Sequence, residues 1–441
     1  GPTALNAFLD IATNESLRER TIAVIANPWF SEPASLDQME REKGARKRLL
    51  DNFLFLYETQ NAFYDRYKKA IRATGYQGVL LGSCWQSTGL GHYYNILSDR
   101  RIGFIDRHNY YSGTGIHFLR TGPIIQPASL LANPVGDLLA TGLQAVEDRP
   151  FSVSEWDSVV PNEWRAEAPA LMAFYGMGLQ GWDASFQFVS DRGTFSPTVE
   201  KPGQIFNVQH PTQLGLYPLY ARAIARGDLR EGDPVGARNV YLPDLMAGRL
   251  DFREFIEQSG DRKSFTGDTP AAALALGKVA LRFTEEREPS KLPDFSAPLA
   301  ARVLEANTGQ LTWNYAEPGR EFVVVNSPGT RGLIGFAPPR EFALGGARLR
   351  VDNRFAVVLM TSLDRKAKDL EQADRVLLCA VARAYNTGMR YSETGDVLED
   401  AGKAPILMEP VWADVLIPGA TEVHLLDHDG RRTDRTLPIT E

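Results

Sequence analysis

The residues in this sequence best suited to chemistry close a short apolar run, Phe151-Ser-Val-Ser-Glu-Trp-Asp157. Pro150 sets the entry to a strand, and Phe151 and Val153 alternate with small serines. Glu155 then falls where that strand should end, beside Trp156 and Asp157. A carboxylate at the C-terminal mouth of a strand, flanked by an indole, can present a nucleophile to a sugar ring. The same seven residues equally describe an ordinary strand-end Glu paired with an Arg. Further polar and aromatic groups close or open neighbouring apolar runs: Trp85, then His108 with Tyr110, then Trp182. Aromatic faces take the apolar side of a pyranose, while His, Asn and carboxylates bind its hydroxyls. Singly, each has a plainer reading. His108 fits a structural histidine, Trp182 fits core packing, and Asp106 with Arg107 fits an ion pair.

The elements that must position these residues alternate. Glu40 to about Arg72 carries apolar residues at helical spacing (Leu50, Phe53, Leu54, Tyr57, Phe63 or Tyr64, Tyr67, Ile71), and Gly75 closes it. Gly78 to Trp85 reads as a buried strand and Ile102 to Asp106 as another, with only a faint helical signal between them. Leu130–Leu143 reads as a helix, Phe151 onward as a strand, Trp164–Leu179 as a helix and Gly181–Phe188 as a strand. Such alternation predicts parallel βα units, and in a (β/α) barrel the chemistry collects at the C-terminal strand ends. Near the N-terminus, Ala7–Ala12 ends in Thr13-Asn14-Glu15. As a strand this run delivers Asn14 and Glu15 to a loop; as a helix it continues into Ser16–Arg20, and local sequence does not decide.

The character changes after Pro218. Residues 229–300 read as connecting helices followed by a proline-punctuated linker, Pro289 to Pro298. From Gly309, short alternating segments predict a β-rich, sandwich-like domain over 301–441, with Arg375–Tyr385 as a central strand. The barrel-type region is thus 1–228.

Composition narrows the function classes. A net charge of −7 without long basic runs argues against a nucleic-acid footprint, and no apolar run approaches a membrane span. Two distant cysteines, Cys84 and Cys379, argue against a disulfide framework and a cysteine zinc site. Gly1-Pro2 matches what a tag-removing protease leaves, so neither a leader nor a compartment is readable.

Ser154-Glu-Trp-Asp, then Pro161-Asn-Glu-Trp-Arg-Ala-Glu167, then Leu179-Gln-Gly-Trp-Asp183 together resemble the last strands of glycoside hydrolase clan A. These are (β/α)8 retaining glycosidases, cellulase-like and β-galactosidase-like. Phe104-Ile-Asp-Arg-His-Asn-Tyr110 resembles their strand six, and the likeness covers about residues 50 to 225. The resemblance implies a TIM-barrel-like catalytic region and Glu155 as nucleophile. It further implies His108 or Tyr110 beside that residue, Trp182 below the sugar, and Glu15 after Asn14 as acid/base. Trp85 and Trp156 would complete the substrate contacts. It implies a carbohydrate substrate, no metal and no cofactor. With Glu15 ending strand four, strands one to three have no residues to come from. The barrel would then be incomplete on that side or completed by a second polypeptide or an oligomer, or Glu15 is not the acid/base. The alternative function is a non-catalytic carbohydrate-binding or scaffold fragment. A metal-dependent hydrolase is a third class, for which His92, His108 and His117 are the only histidines in the strand region.

Overall fold

The computed structural model describes residues 16, 18–21, 46–85, 87, 89–115, 117–191, 195–201, 204–259, 262–365, 369–427 and 429–439. Helices and strands alternate in the first half and strands dominate the second, an α/β chain overall. Helix α1 (Arg46–Ala73) follows the predicted spacing: Phe53 and Tyr64 are buried, while Phe63 is exposed. Gly75, at φ +88°, ends the run, its N–H donating to the Arg72 carbonyl at 3.0 Å.

The segment 78–85 departs from expectation. Leu81 makes a single parallel bridge to Phe104, and Val79, Leu81 and Trp85 are exposed. Gly78 and Gly82 interrupt it and supply no side chains to pack, so an extended backbone makes one bridge and not a ladder. Helix α2 (Gly89–Ile102) stands where the helical signal was faint. It is buried on nearly every side, with His92, Asn95, Ser98 and Asp99 as enclosed as Tyr93 and Ile96, so it has no amphipathic stripe to read. Ile102 closes this helix, Gly103 turns at φ +142°, and strand β1 runs Ile105–Tyr111. His108 and Tyr110 therefore lie within a strand.

Strands β1, β2 (Phe151–Ser158) and β3 (Ala184–Gln187) form a parallel sheet in that order. The connections are helical, as βα units require, but irregular. Leu130–Leu143 breaks into two 3-10 turns, Leu130–Ala132 and Leu139–Gln144. Pro134 disfavours helix at Asn133, and Val135 and Asp137 take positive φ. After β2, helix α3 (Glu167–Leu171) runs into a π-helix, Met172–Leu179. Gly176 is needed there: a Cβ would lie 2.7 Å from the Trp182 ring. Among the described residues the parallel strands stay an open sheet, and no closed barrel forms.

Residues 229–300, expected as connecting helices and linker, hold two strand pairs. β4 (Pro234–Tyr241) pairs in parallel with β7 (Lys278–Thr284), and β5 (Glu254–Ser259) with β6 (Arg262–Gly267) makes an antiparallel hairpin. Leu281 of β7 bridges Val146 just ahead of β2, and the Lys263 N–H of β6 donates to Asn109 Oδ1 at 2.9 Å. Val240, Phe252, Phe265 and Leu281 enter the same apolar cluster as Val153 and Trp156.

The C-terminal part is antiparallel. Six strands order as 376–381, 356–362, 330–335, 322–326, 311–314 and 303–305. Trp313, Val323, Ile334 and Val357 join the main cluster; Leu333, Val358 and Met360 face a second cluster with Leu344 and Leu349 of the smaller sheet. Val376–Val381 is a strand, but at the sheet's edge and not its centre.

Candidate active site

The pairing of β1 with β2 is regular only at first. Ile105, Asp106 and Arg107 partner Phe151, Ser152 and Val153; then His108 partners Glu155, leaving Ser154 as the extra residue of a bulge. Strict alternation would send Glu155 to the face of Val153. The bulge instead keeps Ser154 and Glu155 on one face and turns Trp156 to the other. Those two are the only part-exposed residues of an otherwise buried β2. Glu155 thus sits inside the strand on a re-aimed backbone, not at its exit.

Its neighbours come from β1. The Tyr110 hydroxyl donates to Glu155 Oε2 at 2.9 Å, and His108 Nδ1 lies 3.4 Å from the same oxygen. Both contacts fall on one oxygen, which fixes the plane of the carboxylate. On its other side the His108 ring meets Ser154: Nε2 is 2.9 Å from Oγ. Ser154 donates its hydroxyl to Asp106 Oδ2 at 2.6 Å and its N–H to Oδ1 at 3.0 Å, while the Ser152 hydroxyl donates to Oδ1 at 2.5 Å. The predicted Asp106–Arg107 ion pair does not form. Arg107 points to the opposite face and pairs with Asp99 at 2.8 Å. Lys263 Nζ donates to the His108 carbonyl from the β5–β6 hairpin. Cys84 belongs to this neighbourhood too: burial raises its thiol pKa, and the charges of Asp106 and Glu155 raise it further. The Glu155 side chain is 33% exposed and that of His108 12%, so the carboxylate is reachable from solvent.

The indoles divide. Trp85 is exposed, one residue beyond Cys84, and remains available to a ligand. Trp156 is not: it is buried in the main cluster with Nε1 donating to Ser185 Oγ at 2.8 Å. Trp182 is also a correction. It lies ahead of β3, at the end of the sheet where β2 begins, with its ring 5.3 Å from Phe151 and enclosed by Gly142 and Gly176. Nothing can stack on it. The aromatic groups around Tyr110 are instead Phe188 and Phe206, at 6.4 and 4.9 Å. Asn14 and Glu15 lie outside the described residues.

Beyond Glu155, Asp157 is buried and pairs with Arg165 at 3.1 Å, and Gln187 Nε2 donates to it at 2.7 Å. Burial pushes its carboxyl up to about 7 against the pull of Arg165. Gln187 accepts from Tyr217 at 2.7 Å, tying the ends of β2 and β3 to helix α4 (Tyr217–Arg226). Neither this group nor the Asp106–Ser154 bonds were singled out from the sequence. Both depend on which face each β2 residue takes, and no local pattern announces a bulge.

No family model, curated protein or solved structure matches this chain. Among the described residues, no group of three or more His, Cys, Asp or Glu is placed to hold a metal ion. No helix among them is long and apolar enough to cross a membrane.

Proposed function

We propose that this chain carries the nucleophile of a retaining β-glycoside hydrolase, with Glu155 in that role. The supporting observation is the bulge-presented carboxylate, reachable from solvent and held on one oxygen by Tyr110 and His108. Glu155 attacks the anomeric carbon as the glycosidic bond breaks, and a second carboxylic acid gives its proton to the leaving oxygen. Water then releases the sugar and returns the proton. Glu15, preceded by Asn14, is the proposed acid/base, a role that requires its carboxyl about 5–5.5 Å from that of Glu155. His108, Tyr110 and the exposed Trp85 contact the sugar. In this reading the open parallel sheet is part of a (β/α)8 barrel completed by further strands, from this polypeptide or from a second one.

The test is Glu155→Gln, assayed on an activated aryl β-glycoside. The expected result is a loss of several orders of magnitude in rate with unchanged unfolding, since volume is kept and charge removed. Activity within a few-fold of the parent would take Glu155 out of the mechanism. A second reading, a carbohydrate-binding or scaffold fragment, is favoured by the open sheet, with exposed Val79 and Leu81 on one edge and Phe186 on the other. Saturable oligosaccharide binding without turnover would select it.

A further inference from the structure

We propose that Asp106 and Ser154 are positioning residues: they fix the His108 imidazole with hydrogen on Nε2 and so direct its second proton, on Nδ1, at Glu155. This rests on Glu155 being the reacting carboxylate, though the proton placement itself can be read without any turnover.

The argument is a count of hydrogens. Ser154 has one hydroxyl hydrogen, and it is committed to Asp106 Oδ2 at 2.6 Å. Asp106 is already an acceptor for the Ser152 hydroxyl and the Ser154 N–H, so three donors converge on it. Ser154 Oγ can therefore only accept from His108, and the 2.9 Å contact is Nε2–H donating to Oγ. With that hydrogen placed, Nδ1 presents either a lone pair or a second N–H toward Glu155 Oε2 at 3.4 Å. A lone pair facing a carboxylate oxygen repels it; an N–H attracts it. Tyr110 already donates to the same oxygen, so the carboxylate is collected by two donors from β1.

The charged groups around the ring agree. Asp106 lies on its own strand, and Glu155 lies on β2. The Cys84 thiol, ahead of α2, is held neutral by its raised pKa. Lys263 on β6 is an opposing cation, its Nζ donating to the His108 backbone carbonyl. With Nδ1 facing the Glu155 carboxylate, a second N–H is the favourable arrangement while Glu155 is ionised. When Glu155 is esterified by a sugar, its charge disappears and the reason for the second proton goes with it. His108 then becomes neutral and keeps Nε2–H through Ser154.

The experiment is ¹⁵N NMR of the histidine ring nitrogens across pH, with His108 assigned by difference against His108→Asn. The expected parent has Nε2 protonated throughout and a titration midpoint above the ordinary value near 6.5. Ser154→Ala and Glu155→Gln each lower that midpoint, and Ser154→Ala also admits the Nδ1–H tautomer. Ser154→Thr keeps the hydroxyl, suits a strand, and restores parent behaviour. A parent midpoint at or below 6.5, or a Ser154→Ala protein with unchanged tautomer and midpoint, overturns the proposal. With an aryl glycoside, the alkaline limb of kcat/KM should move with the NMR midpoint in Ser154→Ala. An absent turnover strikes the glycosidase reading and leaves the tautomer result standing.

Discussion

The parallel sheet and the six-stranded antiparallel sheet are built and used differently. In the six-stranded sheet, Thr330–Gly335 pairs with Ala356–Ser362 through six successive partners without a slip. Both of those strands are buried end to end. In the parallel sheet the register slips twice around one strand, between Arg107 and His108 and again between Val153 and Trp156. Continuous register gives strict alternation, and strict alternation lets a sheet bury both faces. Broken register places two neighbouring side chains on one face, here Ser154 and Glu155, and that is where titratable groups gather. The regular sheet is the support, and the irregular one holds the proposed site.

The two are not independent, and the largest expected effect tests that. Trp313 belongs to the regular sheet but is buried against the other half, its Nε1 donating to the Leu131 carbonyl at 3.0 Å and its ring 5.1 Å from Tyr175 of the π-helix. Trp313→Ala should cost about 3–5 kcal/mol in urea unfolding. The transition should remain single, by fluorescence and by far-UV dichroism alike, because one apolar cluster spans both sheets. Two separated transitions would make the halves autonomous and undo the support argument.

Much of this division was legible in the sequence. Short alternating segments between Gly and Pro pointed to the β-rich character of the C-terminal part and to several of its strands, though others there, Val397–Asp400 and Lys403–Met408 among them, were not read from the sequence. Glu155, His108 and Tyr110 were singled out by type and order, and the structure brings all three together. What stayed hidden has physical reasons. Helix α2 is enclosed all round, so its polar residues erase any periodicity. The hairpin and parallel pair of 229–300 gain their cover from β1 and the segment before β2, contacts distant in sequence. Trp156 has the right type for a sugar platform and the wrong face, which register sets, and Trp182 lies at the wrong end of the sheet.

A buried carboxylate sharpens the comparison through pH. Glu167, at the start of α3, accepts from the Ser129 hydroxyl and the Leu130 N–H, each at 2.6 Å, and has no cationic partner in those bonds. Burial pushes its carboxyl up to about 8 from an ordinary 4.5. Between those two values the folded chain holds a proton that the unfolded chain has released, so stability falls as pH rises through this window. The loss should be on the order of a few kcal/mol by urea titration between pH 5 and 8. Glu167→Gln, which stays neutral, should flatten that slope. A slope unchanged in the variant would assign it to another group, Asp157 first, whose burial acts in the same direction.

The smallest effect is expected where the bulge begins. Ser152 lies on the regular side of the slip, and its side-chain hydroxyl donates to Asp106 Oδ1. Ser152→Ala removes one of three donors and leaves both bonds from Ser154, so the cost should be about 1 kcal/mol. An exposed pair on the C-terminal sheet, Arg348 with Glu341, sets the floor: Arg348→Ala should stay within about 0.5 kcal/mol. Ser152→Ala should also leave any glycosidase rate within a few-fold, because the contacts that orient Glu155 run through Ser154, His108 and Tyr110. If Ser152→Ala instead lowers that rate as far as Ser154→Ala does, the whole Asp106 network orients the carboxylate. The register slip at Ser154 would then no longer mark the boundary between support and chemistry.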